Sequence, residues 1–240
     1  MDAQDPSQAE SAAPRLTADE RASRREAVAG LGAALRDLVD AAVRTEVPIE
    51  ELADVAGVVG ELAARLRAES RGLFDVASVD DPETGERWYS PVYGPGSPVA
   101  PPMVIEDLPD EGCCVGRATV LKQHEGPPGL VHGGVLATLL DHVLARAARI
   151  AGHGGLTARL TVTYRRPVPL GVPLVVTGRL GEVDGRRTTA TARLVAQEDP
   201  DTTLAEGEAV LIALRAERAS EVFARTGRAV GAWTSKPADG

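Results

Sequence analysis

Aromatic side chains make up only 3% of this 240-residue chain, so whatever core it builds must be aliphatic. Cysteine is scarce as well, and the two present, Cys113 and Cys114, are adjacent. There is no CxxC pair, and His124, His132, His142 and His153 lack the spacing of zinc ligands. Neither a disulfide framework nor a structural metal site is expected, and a reducing cytoplasm is the expected compartment. No apolar run reaches the ~18 residues of a membrane-spanning helix. The acidic start, MDAQDPSQAESAAP, has no basic or apolar region of a signal peptide. Positive charge is in deficit too. A net charge of −9 argues against a general nucleic-acid or anionic-membrane binder, while leaving room for a local basic pocket. The G-x-S-x-G elbow of serine α/β-hydrolases is also missing.

What is present divides into five stretches. Residues 1–20 are polar and rich in Ala, Ser and Pro, the composition of a disordered tail. Residues 21–70 carry two amphipathic patterns, one through Val28, Leu31, Leu35, Leu38 and Ala42, the other through Leu52, Val55, Val59, Leu62 and Leu66. With TEVP between them they read as an antiparallel helical hairpin or a dimerising arm. It is expected to serve as an oligomerisation or lid element, its apolar stripe packed on the domain that follows or on another subunit. Residues 71–111 are Pro/Gly/Asp-rich and read as an extended linker, with a short strand near Trp88–Tyr93 whose aromatics anchor it. Residues 112–216 alternate between a strand (113–122), a helix (134–151) and four period-two strands (157–170, 173–185, 187–199, 202–216). One helix with a strand before it and a four-strand meander after it is an α+β pattern, an antiparallel sheet on a central helix. Residues 217–240 begin as a weak helix and end as a polar tail.

The chemistry concentrates in EGPPGLVHGGVLATLLD, residues 125–141. A helix starts on two glycines, and its apolar residues occupy most of its circumference. Asp141 interrupts that run, and a buried carboxylate must be paired, hydrogen-bonded or protonated. It reads equally as a structural Asp bonded to a hydroxyl or as a catalytic acid. Gly133 and Gly134 leave backbone N–H groups open at a helix N-terminus, where a polarised carbonyl would sit well. Their ordinary role would be close packing on the sheet. Eight residues of helix separate Gly133 from Asp141, about 12 Å along the axis. One carbonyl cannot meet both within one helix, so a shared role requires two copies of the chain across a symmetric interface.

The segments GPPGLVHGGVLATLLD, LTARLTVTYRRPVPLG and EVDGRR together resemble the PaaI-like hot-dog thioesterases, most closely the thioesterase superfamily members that hydrolyse long-chain acyl-CoA. The resemblance covers about residues 113–215; residues 1–110 carry none. It implies a hot-dog fold, in which an antiparallel sheet wraps a central helix, paired into a homodimer and often a dimer of dimers. It implies hydrolysis of an acyl-CoA thioester with no cofactor, CoA entering as part of the substrate. Asp141 would match the general base or nucleophile, Gly133 the backbone donor from the opposite subunit, His132 a residue that positions the thioester, and Thr157 the hydroxyl beside the carboxylate. Gly134, Thr163 and Arg165 would lie along the substrate or CoA path, and Arg186 and Arg187 would meet its phosphates through bidentate forks. His142, beside Asp141, reads as structural. Many relatives place an Asn or Gln before HGG; here that loop is HEGPPG, and His124 or Glu125 would have to substitute.

Other readings remain: a non-catalytic acyl-CoA sensor, an acyl-carrier-protein thioesterase, or a hot-dog dehydratase. A DNA-binding head for a sensor is disfavoured, since residues 1–70 hold fourteen acidic residues against eight arginines. Nucleic-acid partners and a membrane span are not expected.

Overall fold

A computed structural model describes residues 16–81 and 85–224. Most of the tail assigned to residues 1–20, and of that assigned to 217–240, lies outside them. The first helix, α1 (Ala18–Arg44), begins on a capping box. Thr17 Oγ1 accepts the Glu20 N–H, and the Glu20 carboxylate accepts the Thr17 N–H. Helix α2 (Ile49–Arg67) follows. After it come β1 (Val104–Leu108), β2 (Cys113–Thr119), α3 (Gly133–Ile150), β3 (Leu156–Tyr164), β4 (Pro173–Asp184), β5 (Arg187–Ala196), β6 (Asp199–Ile212) and α4 (Ala216–Phe223).

The six strands form one antiparallel sheet in the order β1-β2-β4-β5-β6-β3, wrapped around α3 in the hot-dog arrangement. Alternation explains the packing. Leu174 and Val176 of β4, Ala190, Ala192 and Leu194 of β5, and Ala205, Ala209 and Leu211 of β6 turn inward. There they meet Leu136, Leu139, Leu140, Val143, Leu144 and Ala147 of α3. Each fully buried leucine contributes about 2 kcal/mol. Two glycines let the helix approach the sheet: a Cβ on Gly178 would lie 2.5 Å from the Val143 carbonyl, and one on Gly207 3.2 Å from Leu144 Cδ1.

Four expectations change. The strands after α3 are not a four-strand meander, because only β4, β5 and β6 are sequential neighbours. The edge of β4 is taken by β2, so β3 joins the far side beside β6, and Arg165–Val172, with Pro167 and Pro169, carries the chain across. Strand β1 lies within the segment read as linker, paired with β2. Trp88–Tyr93 forms turns and no strand. Its aromatics do anchor the segment: the Trp88 N–H donates to buried Asp80, Arg25 lies over the Trp88 ring, and Tyr93 stacks on His142. Finally, α1 and α2 do not pair along their lengths as a hairpin. Instead α1 lies on the linker, where Arg25 donates to the Val79 carbonyl and Arg36 to those of Pro95 and Ser97. Helix α2 buries none of its residues.

Candidate active site

The loop before α3 is set by local hydrogen bonds. Gly126 N–H donates to the Leu130 carbonyl, and Gly129 adopts φ 78°, a conformation natural only to glycine. Val131 N–H then bonds the Val168 carbonyl, which fixes the entry into the helix. His132 is the N-cap: its Nδ1 accepts the Gly134 N–H at 2.9 Å. Since that N–H can only donate, Nδ1 carries a lone pair and the ring proton sits on exposed Nε2. Gly134, expected beside substrate, has therefore spent its amide on the cap. Gly133 has not: its N–H meets no acceptor among the described residues. The Gly133 carbonyl, by contrast, accepts from the Tyr164 hydroxyl at 2.8 Å. The Tyr164 ring lies where a Cβ on Gly133 would approach to 3.3 Å. Tyr164 thus fixes the residue whose amide is free, a role that the sequence reading missed. Its register with Leu160 and Val162, which pack on the core, was the available signal.

Asp141 is on α3 but not on the core-facing stripe. The buried residues of the helix leave it half-buried, on the same flank as exposed Gly134 and Thr138. The apolar residues surrounding it in sequence suggested an inward acid, but the sheet of one chain covers only one side of the helix. The Asp141 carboxylate has no hydrogen-bond or ion-pair partner among the described residues. Next to it, His142 is held by its neighbours. Its ring centroid lies 4.7 Å from that of Tyr93, and its Nε2 is buried without a partner among the described residues. Burial first, then the Arg146 and Arg149 charges, push its pKa down to about 3, so it is neutral. Arg146 itself is clamped by Asp107 through two 2.6 Å hydrogen bonds.

Thr157 opens β3 at the sheet edge, exposed, with no hydrogen bond to Asp141. Thr163 and Arg165 point to the face of the sheet opposite α3. There, with Arg179, Arg193 and Glu206, they line a groove of about 580 Å³. Arg165 is paired with Glu206 at 2.8 Å. Arg186 and Arg187 sit at the β4–β5 turn, where Arg186 donates to the Ala213 carbonyl. One chain therefore gathers His132, Gly133, Gly134 and Tyr164 at one end of α3. It leaves Thr157, Arg186 and Arg187 at the sheet end near the other, and Asp141 between.

Of the two suggested substitutes for the loop amide, Glu125 is engaged, while His124 keeps its Nδ1 buried without a partner among the described residues. Glu125 binds Lys122 and the Gly129 N–H, which hold its pKa below the usual carboxylate range, and the His124 ring lies 3.0 Å from the Val99 carbonyl. Gln123, one residue earlier, does present an amide. Its Oε1 is buried without a partner among the described residues, in the wall of a cavity of about 460 Å³ between α1 and β2. The two cysteines are free and buried, and burial pushes the Cys114 thiol up to about 12, so it is no nucleophile. No helix among the described residues is long and apolar enough to cross a membrane.

Comparison with known proteins bears on this arrangement. The thioesterase superfamily model matches residues 128–203, from the loop before α3 into β6. A solved thioesterase superfamily protein is 36% identical, with a TM-score of 0.69, over 77% of this chain and 94% of its own. Acyl-coenzyme A thioesterase THEM4 of Xenopus laevis is 35% identical over 31% of this chain and 34% of its own length. Acyl-coenzyme A thioesterase THEM5 of Homo sapiens is 28% identical over 40% and 38%. The chain thus spans less than half the length of these two curated relatives. With a hot-dog core around α3 and a relative matched over nearly its whole length, the chain belongs to the thioesterase superfamily.

Proposed function

We propose that the protein hydrolyses an acyl-CoA thioester to the free acid and CoA, at sites each built from two subunits. The observation that carries this is a split along α3: an unspent Gly133 N–H at its N-terminus and an unpartnered Asp141 about 12 Å further on. Strand β3 is an unpaired sheet edge, the kind of surface that proteins cover. Antiparallel pairing of two such edges about Leu160 would set Thr157 of one chain near Thr163 of the other. That would bring the partner's Gly133 and the partner's Tyr164 toward Asp141, giving two equivalent sites.

In this reading the Gly133 N–H donates to the thioester oxygen and stabilises the charge that develops there. Asp141 takes a proton from water, the oxygen of that water bonds to the carbonyl carbon, and the C–S bond breaks. The sulfur leaves as CoA thiolate and is protonated. Asp141 attacking directly as nucleophile uses the same geometry. His132 contributes its exposed Nε2–H, and Arg186 and Arg187 the charge for CoA phosphates. The chemistry calls for no metal or cofactor, and the site of action is the cytoplasm.

The test is thiol release from a panel of acyl-CoAs by wild type and Asp141→Asn. Turnover by the wild type and its loss in the variant, by roughly 10²–10⁴-fold for removal of a general base, is expected. Full activity in Asp141→Asn would remove the assigned role. Tight CoA binding without turnover by either protein would favour an acyl-CoA sensor.

A further inference from the structure

Helix α2 exposes an apolar stripe that nothing among the described residues covers. Leu52, Val55, Leu62 and Leu66 are 44%, 42%, 46% and 54% exposed, and no atom lies near where a Cβ on Gly57 or Gly60 would be. A lone helix of 19 residues with two interior glycines is marginal in water. The question is what covers it, and the order of its residues answers. Leu52, Val55, Val59, Leu62 and Leu66 follow the alternating three-and-four spacing of a coiled-coil seam. Among its charges, Glu50, Glu51 and Asp54 lie in the first two turns and Arg65 and Arg67 in the last, with Glu61 the one acid of the second half. A parallel copy would set the acids against acids. An antiparallel copy sets Glu51 against Arg65.

We propose that α2 pairs antiparallel with α2 of a second copy of this chain, about a two-fold axis at residue 57. In that register the seam is self-complementary in size as well as charge. Leu52 meets the partner's Leu62, and Val55 meets the partner's Val59. By symmetry this makes four layers, leucine outside and valine inside. Glu51 flanks the seam opposite the partner's Arg65, and Ile49 lies over the partner's Ala63. Ala56 sits at the axis, where a small side chain lets two helices come close. The pairing is independent of the thioesterase reading, since it uses none of the residues of that site.

The experiment is site-directed crosslinking of the full-length protein. Glu51→Cys and Arg65→Cys are introduced together and singly at these exposed positions, then treated with a bis-maleimide spanning about 10 Å. Within one helix the two positions are fourteen residues apart, about 21 Å, beyond the reach of the reagent. The native cysteines are buried and silent. The double variant is expected to run as a covalent dimer on a denaturing gel, with both single variants remaining monomeric. Adding Leu62→Asp to the double variant should abolish the product. Dimer formation by Glu51→Cys alone would show a parallel pair. No product from the double variant would show that α2 is covered by something other than its copy. A product that survives Leu62→Asp would show random collision. Each of these overturns the proposal.

Discussion

His142 is a histidine that the fold keeps neutral, and this makes stability depend on pH in a calculable way. In the unfolded chain it titrates near 6.5; in the folded protein its pKa is pushed down to about 3 by burial and by Arg146 and Arg149, with Asp107 opposing. The Tyr93 ring packed on it brings no counter-charge at this pH. Above 6.5 both states are neutral and the group contributes nothing. Below it the unfolded chain gains a proton that the folded chain refuses, so stability falls as pH falls, until about 3. At 1.36 kcal/mol per unit, a drop to pH 5 costs about 2 kcal/mol. With a urea slope of about 2 kcal/mol per M, the midpoint should fall by about 1 M between pH 7.5 and 5. Ordinary carboxylates stay largely ionised over this window. His142→Phe keeps an aromatic ring against Tyr93, removes the orphaned Nε2 and cannot titrate, so most of this shift should vanish. Urea unfolding of both proteins at equal concentration measures it. An equal shift in wild type and variant would refute the argument.

Tyr164→Phe removes the hydroxyl that holds the Gly133 carbonyl. The expected loss is roughly 3–10-fold in kcat, the worth of one hydrogen bond, with KM little changed; steady-state kinetics on an active acyl-CoA decides. A change confined to KM would place Tyr164 in substrate binding instead. Gly178→Ala should be among the most damaging single-methyl changes, because the Val143 carbonyl is backbone and cannot yield to a Cβ 2.5 Å away. A loss of about 1–3 kcal/mol, as for other overpacked core sites, is expected in thermal or urea unfolding.

Local patterns were legible in the sequence, and contacts between distant elements were not. Helix α3 and strands β4, β5 and β6 announce themselves through period and turns, because their residues alternate between Leu-, Val- or Ala-lined and polar faces. The place of β3 is not local information: nothing in LTARLTVTY says that it pairs with β6 and not with β4. Strand β1 is hidden because VIEDL is short and sits among prolines. Asp141 misled because the residues around it are apolar on several sides of the helix, while only contact with the sheet decides which side is core. The stripe on α2 was legible as amphipathic, but amphipathicity does not name a partner. For the site, HGG and Asp141 drew attention by residue type. Tyr164 needed the end of β3 to be brought beside the start of α3. The His132 cap, which spends the amide of Gly134 and spares that of Gly133, depends on a side-chain conformation that no spacing encodes.

The crossing of β3 to the far edge also bears on the order of assembly. Leu156 pairs with Ile212 and Tyr164 with Ala205, so β3 has no strand neighbour until β6 has been made and laid down. Strands β4, β5 and β6 are joined by short turns and close small loops, whereas docking β3 closes a larger one. Loop-closure entropy therefore favours docking of the strand that carries Thr157 and Tyr164 after β4, β5 and β6. Its outer edge cannot be presented to another chain as part of the sheet before the rest of that sheet is complete.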